Sequence, residues 1–180
     1  MEDISLHILD IAENSIAAGA ALVKIRIIED TEKDILSVEI EDNGRGIPEE
    51  LIARVLDPFY TTRTTRNVGF GLSLLAQSAR EADGDISIKS KKDTGTVVFA
   101  YFRYSHVDRK PLGNIADTLA VLIAGNPDID FLYEHTRNDK TYSIDTKELR
   151  AELGDVPLNS PDVIALIRGD VEEGVKGLER

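Results

Sequence analysis

Apolar residues recur at helical spacing through the first twenty positions. Ile4, Ile8 and Ile11 make one stripe, with Leu9 and Ile16 beside it, while His7, Asp10 and Asn14 make a second, polar one. Residues three and four apart share a helix face. The pattern therefore predicts a helix over 4–17, with Asp3 as N-cap and Gly19 ending it. Over 22–28 the period drops to two, Val23, Ile25 and Ile27 alternating with Lys24 and Arg26, which predicts a half-buried strand. The apolar run 35–40 predicts a second strand to Glu41, and the polar turn 30–33 makes the two a hairpin. Pro48, read as a first helical position beside Glu49 and Glu50, opens a short helix that stops before Pro58. The stretch 57–71 has no period and reads as a loop. Leu72, Leu75, Ala76 and Ala79 predict a helix over 72–83, closed by Gly84. Alternation over 85–90 and a nearly all-apolar 96–103, joined by the turn 91–95, predict a second hairpin.

Beyond residue 104 the pattern predicts a helix over 111–124 that ends at Gly125. Strands at 131–135 and 141–144 follow, paired across 137–140. Asp145 with Glu148 has the spacing of a capping box, opening a short helix stopped by Gly154. Ser160-Pro161 opens a last helix with Val163, Ile164, Ile167, Val171 and Val175 on one face. The fold class is α+β, a two-layer α/β sandwich of mixed sheet and helices. Residues 1–105 form its main domain, and 106–180 form a small C-terminal α/β extension packed on it.

The chain has 180 residues, 42 % of them hydrophobic, enough for a sizeable core. A net charge of −12 opposes binding to a phosphate backbone, so no nucleic-acid partner is expected. The absence of cysteine excludes disulfides and thiolate metal sites and fits a reducing interior. No secretory signal is apparent, and no apolar run nears the ~20 residues that cross a bilayer. The expected location is the cytoplasm, without a membrane partner.

Four stretches carry the chemistry, in a fixed order: Asp10-Ile11-Ala12-Glu13-Asn14-Ser15, Asp42-Asn43-Gly44-Arg45-Gly46-Ile47-Pro48, Asp57-Pro58-Phe59-Tyr60-Thr61-Thr62-Arg63, and Gly69-Phe70-Gly71-Leu72. In the second, a carboxylate leaves a strand end and two glycines follow at alternate positions. Glycine lets backbone approach a flat ligand closely, and a carboxylate accepts from an exocyclic amine. Over residues 3 to 103 this arrangement resembles the GHKL superfamily of histidine kinase-like ATPases, whose ATP-binding domain has the Bergerat fold.

The resemblance implies ATP and Mg²⁺ as cofactors, with Asn14 ligating the metal through its side-chain oxygen. Asp42 would accept from the adenine amine, Gly44 and Gly46 would shape the floor, and Ile47 would line the base pocket. Thr96 would support the adenine through the aspartate or a water; otherwise it is a plain strand threonine. The lid would hinge on Phe59. Arg63 would touch phosphate, with Arg66 a weaker candidate. Gly69 and Gly71, leading to Leu72, would free backbone N–H groups for phosphate at a helix N-terminus. Where relatives often carry a phosphate-binding Lys after the asparagine, this chain has Ala17 and Ala18.

Asp10 holds the place of the relatives' general base but is a methylene shorter than Glu. It acts either as base or as a carboxylate ordering the metal's waters. Glu13 should face away, and His7 is expected to be a hydrogen-bonded structural histidine. Relatives also carry a strand and helix before the asparagine-bearing helix, whereas this chain starts on that helix. The 131–144 hairpin is expected to supply the missing edge strands.

The expected function is ATP hydrolysis, or phosphorylation of a serine or threonine on a protein partner. The alternatives are a non-catalytic, nucleotide-gated binding module, or the ATP domain of a histidine kinase without its own phosphoacceptor. The apolar face of the last helix also permits a homodimer.

Overall fold

The computed structural model describes residues 3–57 and 71–180. The elements run α1 (Ile4–Ala17), β1 (Leu22–Asp30), β2 (Ile35–Asp42), α2 (Glu49–Val55), α3 (Gly71–Glu81), β3 (Asp85–Lys91), β4 (Gly95–Arg103), α4 (Ile115–Gly125), β5 (Asp130–Arg137), β6 (Lys140–Asp145), α5 (Thr146–Leu153) and α6 (Pro161–Leu178). Six strands form one sheet in the order β3-β4-β2-β1-β5-β6. Only β1 and β5 run parallel; the other neighbours are antiparallel. The result is a mixed α+β sheet under helices, as the pattern predicts.

Alternation fixes which side of the sheet is covered. Val23, Ile25 and Ile27 of β1 face inward with Leu36, Val38 and Ile40 of β2, Val98, Ala100 and Phe102 of β4, and Phe131 and Tyr133 of β5. Fully burying an Ile, Val or Phe side chain contributes roughly 1.5–3 kcal/mol, so this face supplies much of the folding energy. Helices α1 and α3 lie across β1 to β4, and α6 lies over β5 and β6, with α4 between α1 and α6. The other side of the sheet is charged. Arg26 there bonds both Glu39 and Glu134, at 2.7 and 3.3 Å, and Lys24 pairs with Glu41.

The 131–144 hairpin does supply edge strands: β5 joins β1 over eight register pairs, from Leu22 with Asp130 to Glu29 with Arg137. The extension is also tied to the chain's start, because Ile4 and Ser5 donate to the carbonyls of Pro111 and Leu112.

Three boundaries differ from the sequence reading. The helix expected from residue 111 starts at Ile115, because Asn114 caps it by accepting from Asp117 N–H. Pro111 and Leu112 are instead held by α1, and Gly113 turns the chain with φ +81. Pro48 is the N-cap of α2 rather than its first residue. Past α3 the left-handed residue is Asp83, φ 54, not Gly84. Gly84 is required for closeness: a Cβ there would stand 1.7 Å from the carbonyl oxygen of Tyr101.

Candidate functional site

Each apolar inner stripe turns polar at the same end of the molecule. On α1 the stripe Ile4, Ile8, Ile11 is continued by Ser15, which is buried. On β2 the stripe Leu36, Val38, Ile40 is continued by Asp42. On β3 and β4, Ser90 and Thr96 close their inward rows. Register makes the strand members neighbours: Ser90 pairs with Thr96, Thr96 with Asp42, and Asp42 with Val23. A polar row thus runs along the end of a hydrophobic face, beneath the last turn of α1.

Asp42 is held from two sides. The Ser15 hydroxyl donates to Oδ2 at 2.6 Å, and the Gly44 N–H donates to Oδ1 at 2.9 Å. The loop that follows is pinned at several points. Asn43 Oδ1 accepts from the N–H groups of Ala21 and Leu22, Arg45 N–H donates to Ala18, and Asp93 N–H donates to Arg45. Gly46 has φ +72, and a Cβ there would lie 2.2 Å from the Lys91 carbonyl oxygen, so both torsion and space demand glycine. At Gly44 the closest atoms, of Ala18 and Asp42, lie 3.0–3.1 Å away.

Ser90 is the hub of the adjoining floor. It accepts from Ile47 N–H at 2.7 Å, lies 3.0 Å from the Gly95 carbonyl and exchanges a 2.8 Å hydroxyl bond with Thr96. Thr96 therefore sits beside Asp42 in register, with its hydroxyl turned to Ser90.

Asp10 lies one turn before Asn14 on the same side of α1 and reaches the first residue of α3. A Cβ on Gly71 would fall 1.9 Å from Asp10 Oδ2, so Gly71 is small because this carboxylate fills its side-chain space. Burial raises the Asp10 carboxyl above the ordinary aspartate value. Asn14 keeps its amide nitrogen buried and unpartnered among the described residues. The Asn14 amide oxygen and the Asp10 carboxylate, one turn apart, are hard oxygen donors of the type Mg²⁺ takes. Among the described residues no group of three or more His, Cys, Asp or Glu gathers around a common point.

Glu13 is exposed, facing away as expected. His7 departs from expectation. It is 2 % exposed and neither ring nitrogen has a partner among the described residues, so it is buried but not satisfied and does not bond Asp10. Burial, with the N-terminal charge, lowers its pKa. Leu72 is buried in the core and Ile47 packs against it. Phe59, Arg63, Arg66 and Gly69 lie outside the described residues.

Neither Ser15 nor Ser90 is assigned a role by motif or periodicity in the sequence. The signal was present: each is a hydroxyl where its stripe calls for an apolar side chain.

The family profile described as "Histidine kinase-, DNA gyrase B-, and HSP90-like ATPase" matches residues 2–106, more than half of the chain. This chain belongs to that family. Similar curated proteins include a putative sensor histidine kinase, NtrY-like, of Rickettsia prowazekii, 32 % identical over 98 residues. The tetrathionate sensor histidine kinase TtrS of Salmonella typhimurium is 35 % identical over 97 residues. The matches cover 54 % and 52 % of this chain but only 16 % of either relative. Among solved structures, the Aquifex aeolicus MutL ATPase domain complexed with ADP superposes with a TM-score of 0.53 at 16 % identity. That superposition covers 80 % of this chain and 64 % of the MutL domain, so the shared fold runs past the stretch the family profile matches. Among the described residues of this family member, no helix is long and apolar enough to cross a membrane.

Proposed function

We propose that this chain binds ATP with Mg²⁺ in the crevice between α1 and the polar end of the sheet's inner face. It then hydrolyses the nucleotide or passes its γ-phosphoryl group to a serine or threonine of a protein partner. The supporting observation is Asp42: a carboxylate at the end of an otherwise apolar row, fixed in place by the Ser15 hydroxyl and the Gly44 N–H. In this reading Asp42 accepts from the adenine amine, Asn14 holds Mg²⁺ and Asp10 takes the proton of the attacking hydroxyl or water. Gly44, Gly46, Ile47, Leu72 and Thr96 form the base pocket. Phe59, Arg63, Gly69 and Gly71 serve the lid and the phosphates. Bound Mg²⁺ would neutralise phosphate charge; positioning is the protein's share. The cytoplasm is the proposed location, and residues 106–180 the proposed partner-facing extension.

Titration with Mg·ATP, followed by phosphate release, tests this. The wild type is expected to bind and turn over. Asp42→Asn should weaken binding roughly 10–100-fold, the scale of a hydrogen bond to a charged group. Asp10→Asn should leave binding intact and lower kcat by about 10²–10⁴-fold, the usual worth of a placed base. Binding without turnover in the wild type would leave the nucleotide-gated module. Turnover untouched by Asp10→Asn would leave that carboxylate only to order metal waters.

The sensor histidine kinases among the relatives favour a second reading, an ATP domain serving a histidine acceptor on another polypeptide. An imidazole is already nucleophilic at neutral pH and needs no base, so a role for Asp10 in turnover separates the two.

A further inference from the structure

We infer that Ser15 is a positioning residue for base selection: its hydroxyl sets Asp42 as an acceptor that admits a purine bearing an exocyclic amine. The inference rests on the proposed nucleotide site and goes beyond it by assigning a residue that neither contacts phosphate nor holds metal.

Protons and lone pairs decide the roles around Asp42. Ser15 is 4 % exposed and has one hydroxyl proton with two acceptors in range. The Ile11 carbonyl, four residues back, is 3.3 Å away; Asp42 Oδ2 is 2.6 Å away. The shorter contact to a charged acceptor is the stronger one, so the proton goes to Asp42. The hydroxyl thereby gives up the local bond to the carbonyl four residues back that a helical serine otherwise makes. On the far side of the same carboxylate, Gly44 N–H donates to Oδ1. A carboxylate offers about four acceptor sites. One on each oxygen is now taken by a protein donor approaching from a different element, α1 and the loop after β2. The plane of the group is fixed, and what remains is acceptor only. An amine N–H finds a partner there. A carbonyl at the same ring position meets lone pairs against lone pairs, and a bare ring carbon forms no bond.

Without the Ser15 hydroxyl, Asp42 keeps one anchor and can swing about its last torsion. The loss should appear in recognition of the amine rather than in binding of the triphosphate. Ser15 also directly follows Asn14. The turn of α1 that presents the proposed metal ligand therefore orients the base reader as well.

The test compares ATP with purine riboside triphosphate, which has the same ring, sugar and phosphates but no amine. Affinities are measured by calorimetry in Mg²⁺ for the wild type, Ser15→Ala, Asp42→Asn and the double variant. Ser15→Ala should weaken ATP about tenfold, the scale of one charge-assisted hydrogen bond, and the amine-free nucleotide less than about twofold. In the Asp42→Asn background the same substitution should change ATP affinity little, because the two residues act as one unit. Equal weakening of both nucleotides by Ser15→Ala, or the same loss with and without Asp42, overturns the inference and makes Ser15 a packing residue. ATP binding untouched by Ser15→Ala overturns it too and leaves the nucleotide site standing. A wild type that binds neither nucleotide removes both.

Discussion

At the scale of single residues, the site is built from exchanges of size and polarity. Gly71 has no side chain because the Asp10 carboxylate occupies that space. Gly71→Ala would push a carboxylate end, which can rotate away, rather than backbone. The expected result is a melting temperature within a degree or two of wild type and turnover lowered by up to about 10²-fold, the penalty for a small misplacement of a reacting group. Thermal melts run beside phosphate release check both halves. His7 is the opposite case, a polar ring in an apolar place. Its folded pKa is lowered by burial, so the unfolded chain takes up a proton first as pH falls. Stability should therefore decline once pH drops through its ordinary value of 6.5, by at most about 1.4 kcal/mol per pH unit. His7→Leu should flatten that decline between pH 7 and 5 in urea titrations. An unchanged slope would place the acid sensitivity elsewhere.

Among the elements, the joint between β1 and β5 is not purely apolar. His135 is fully buried on β5, with Nε2 2.8 Å from Glu29 of β1 and Nδ1 2.8 Å from the Tyr133 hydroxyl. A carboxylate only accepts, so Nε2 donates to it; in the neutral ring Nδ1 then accepts from the tyrosine. Burial pushes the Glu29 carboxyl up, but the His135 hydrogen bond, with the charges of His135 and Arg137, outweighs it and holds the pKa below the ordinary value. A carboxylate with a depressed folded pKa stabilises fully above its ordinary value of 4.5 and loses that contribution as pH falls through the folded value. Glu29→Gln should lower stability at pH 7 by about 1–3 kcal/mol and shrink the loss between pH 5 and 3, read from denaturant midpoints.

This joint also shows where sequence reading stops. Helix α1, its Asp3 cap, both core hairpins and the Asp42 loop were legible, because periodicity and turn chemistry are local. The sequence points to the 131–144 hairpin as an edge of the sheet, but not to β1 as its neighbour or to the parallel direction of the pairing. That Glu29 meets His135 was not visible at all, since no local pattern links residues so far apart. The start of α4 is hidden from the sequence for a similar reason: Pro111 looks like a helix opener until α1 claims its carbonyl.

For the whole molecule, the extension is part of the sheet and not an appendage. Phe131, Tyr133, Leu119, Leu122, Ile167 and Val171 belong to the same core as Ile4, Ile25 and Val38. Ending the chain after residue 105 would uncover the β1 edge and strip α1 of its contact with α4. The truncated protein is expected to aggregate or to lack a cooperative melt, by light scattering and circular dichroism. A soluble, sharply melting 1–105 fragment would instead make the extension dispensable for folding.

The parallel β1–β5 ladder has one more consequence, for synthesis. Asp130, which pairs with Leu22, is translated more than a hundred residues later. At common elongation rates of about 5–20 residues per second, β1 waits roughly 5–20 s for its second neighbour. During that interval a strand carrying Val23, Ile25 and Ile27 presents open backbone on one side to other nascent chains on the same message. Ribosome-associated chaperones are the natural cover for it, and slowing translation ahead of β5 should raise the misassembled fraction more than the same delay placed after β6.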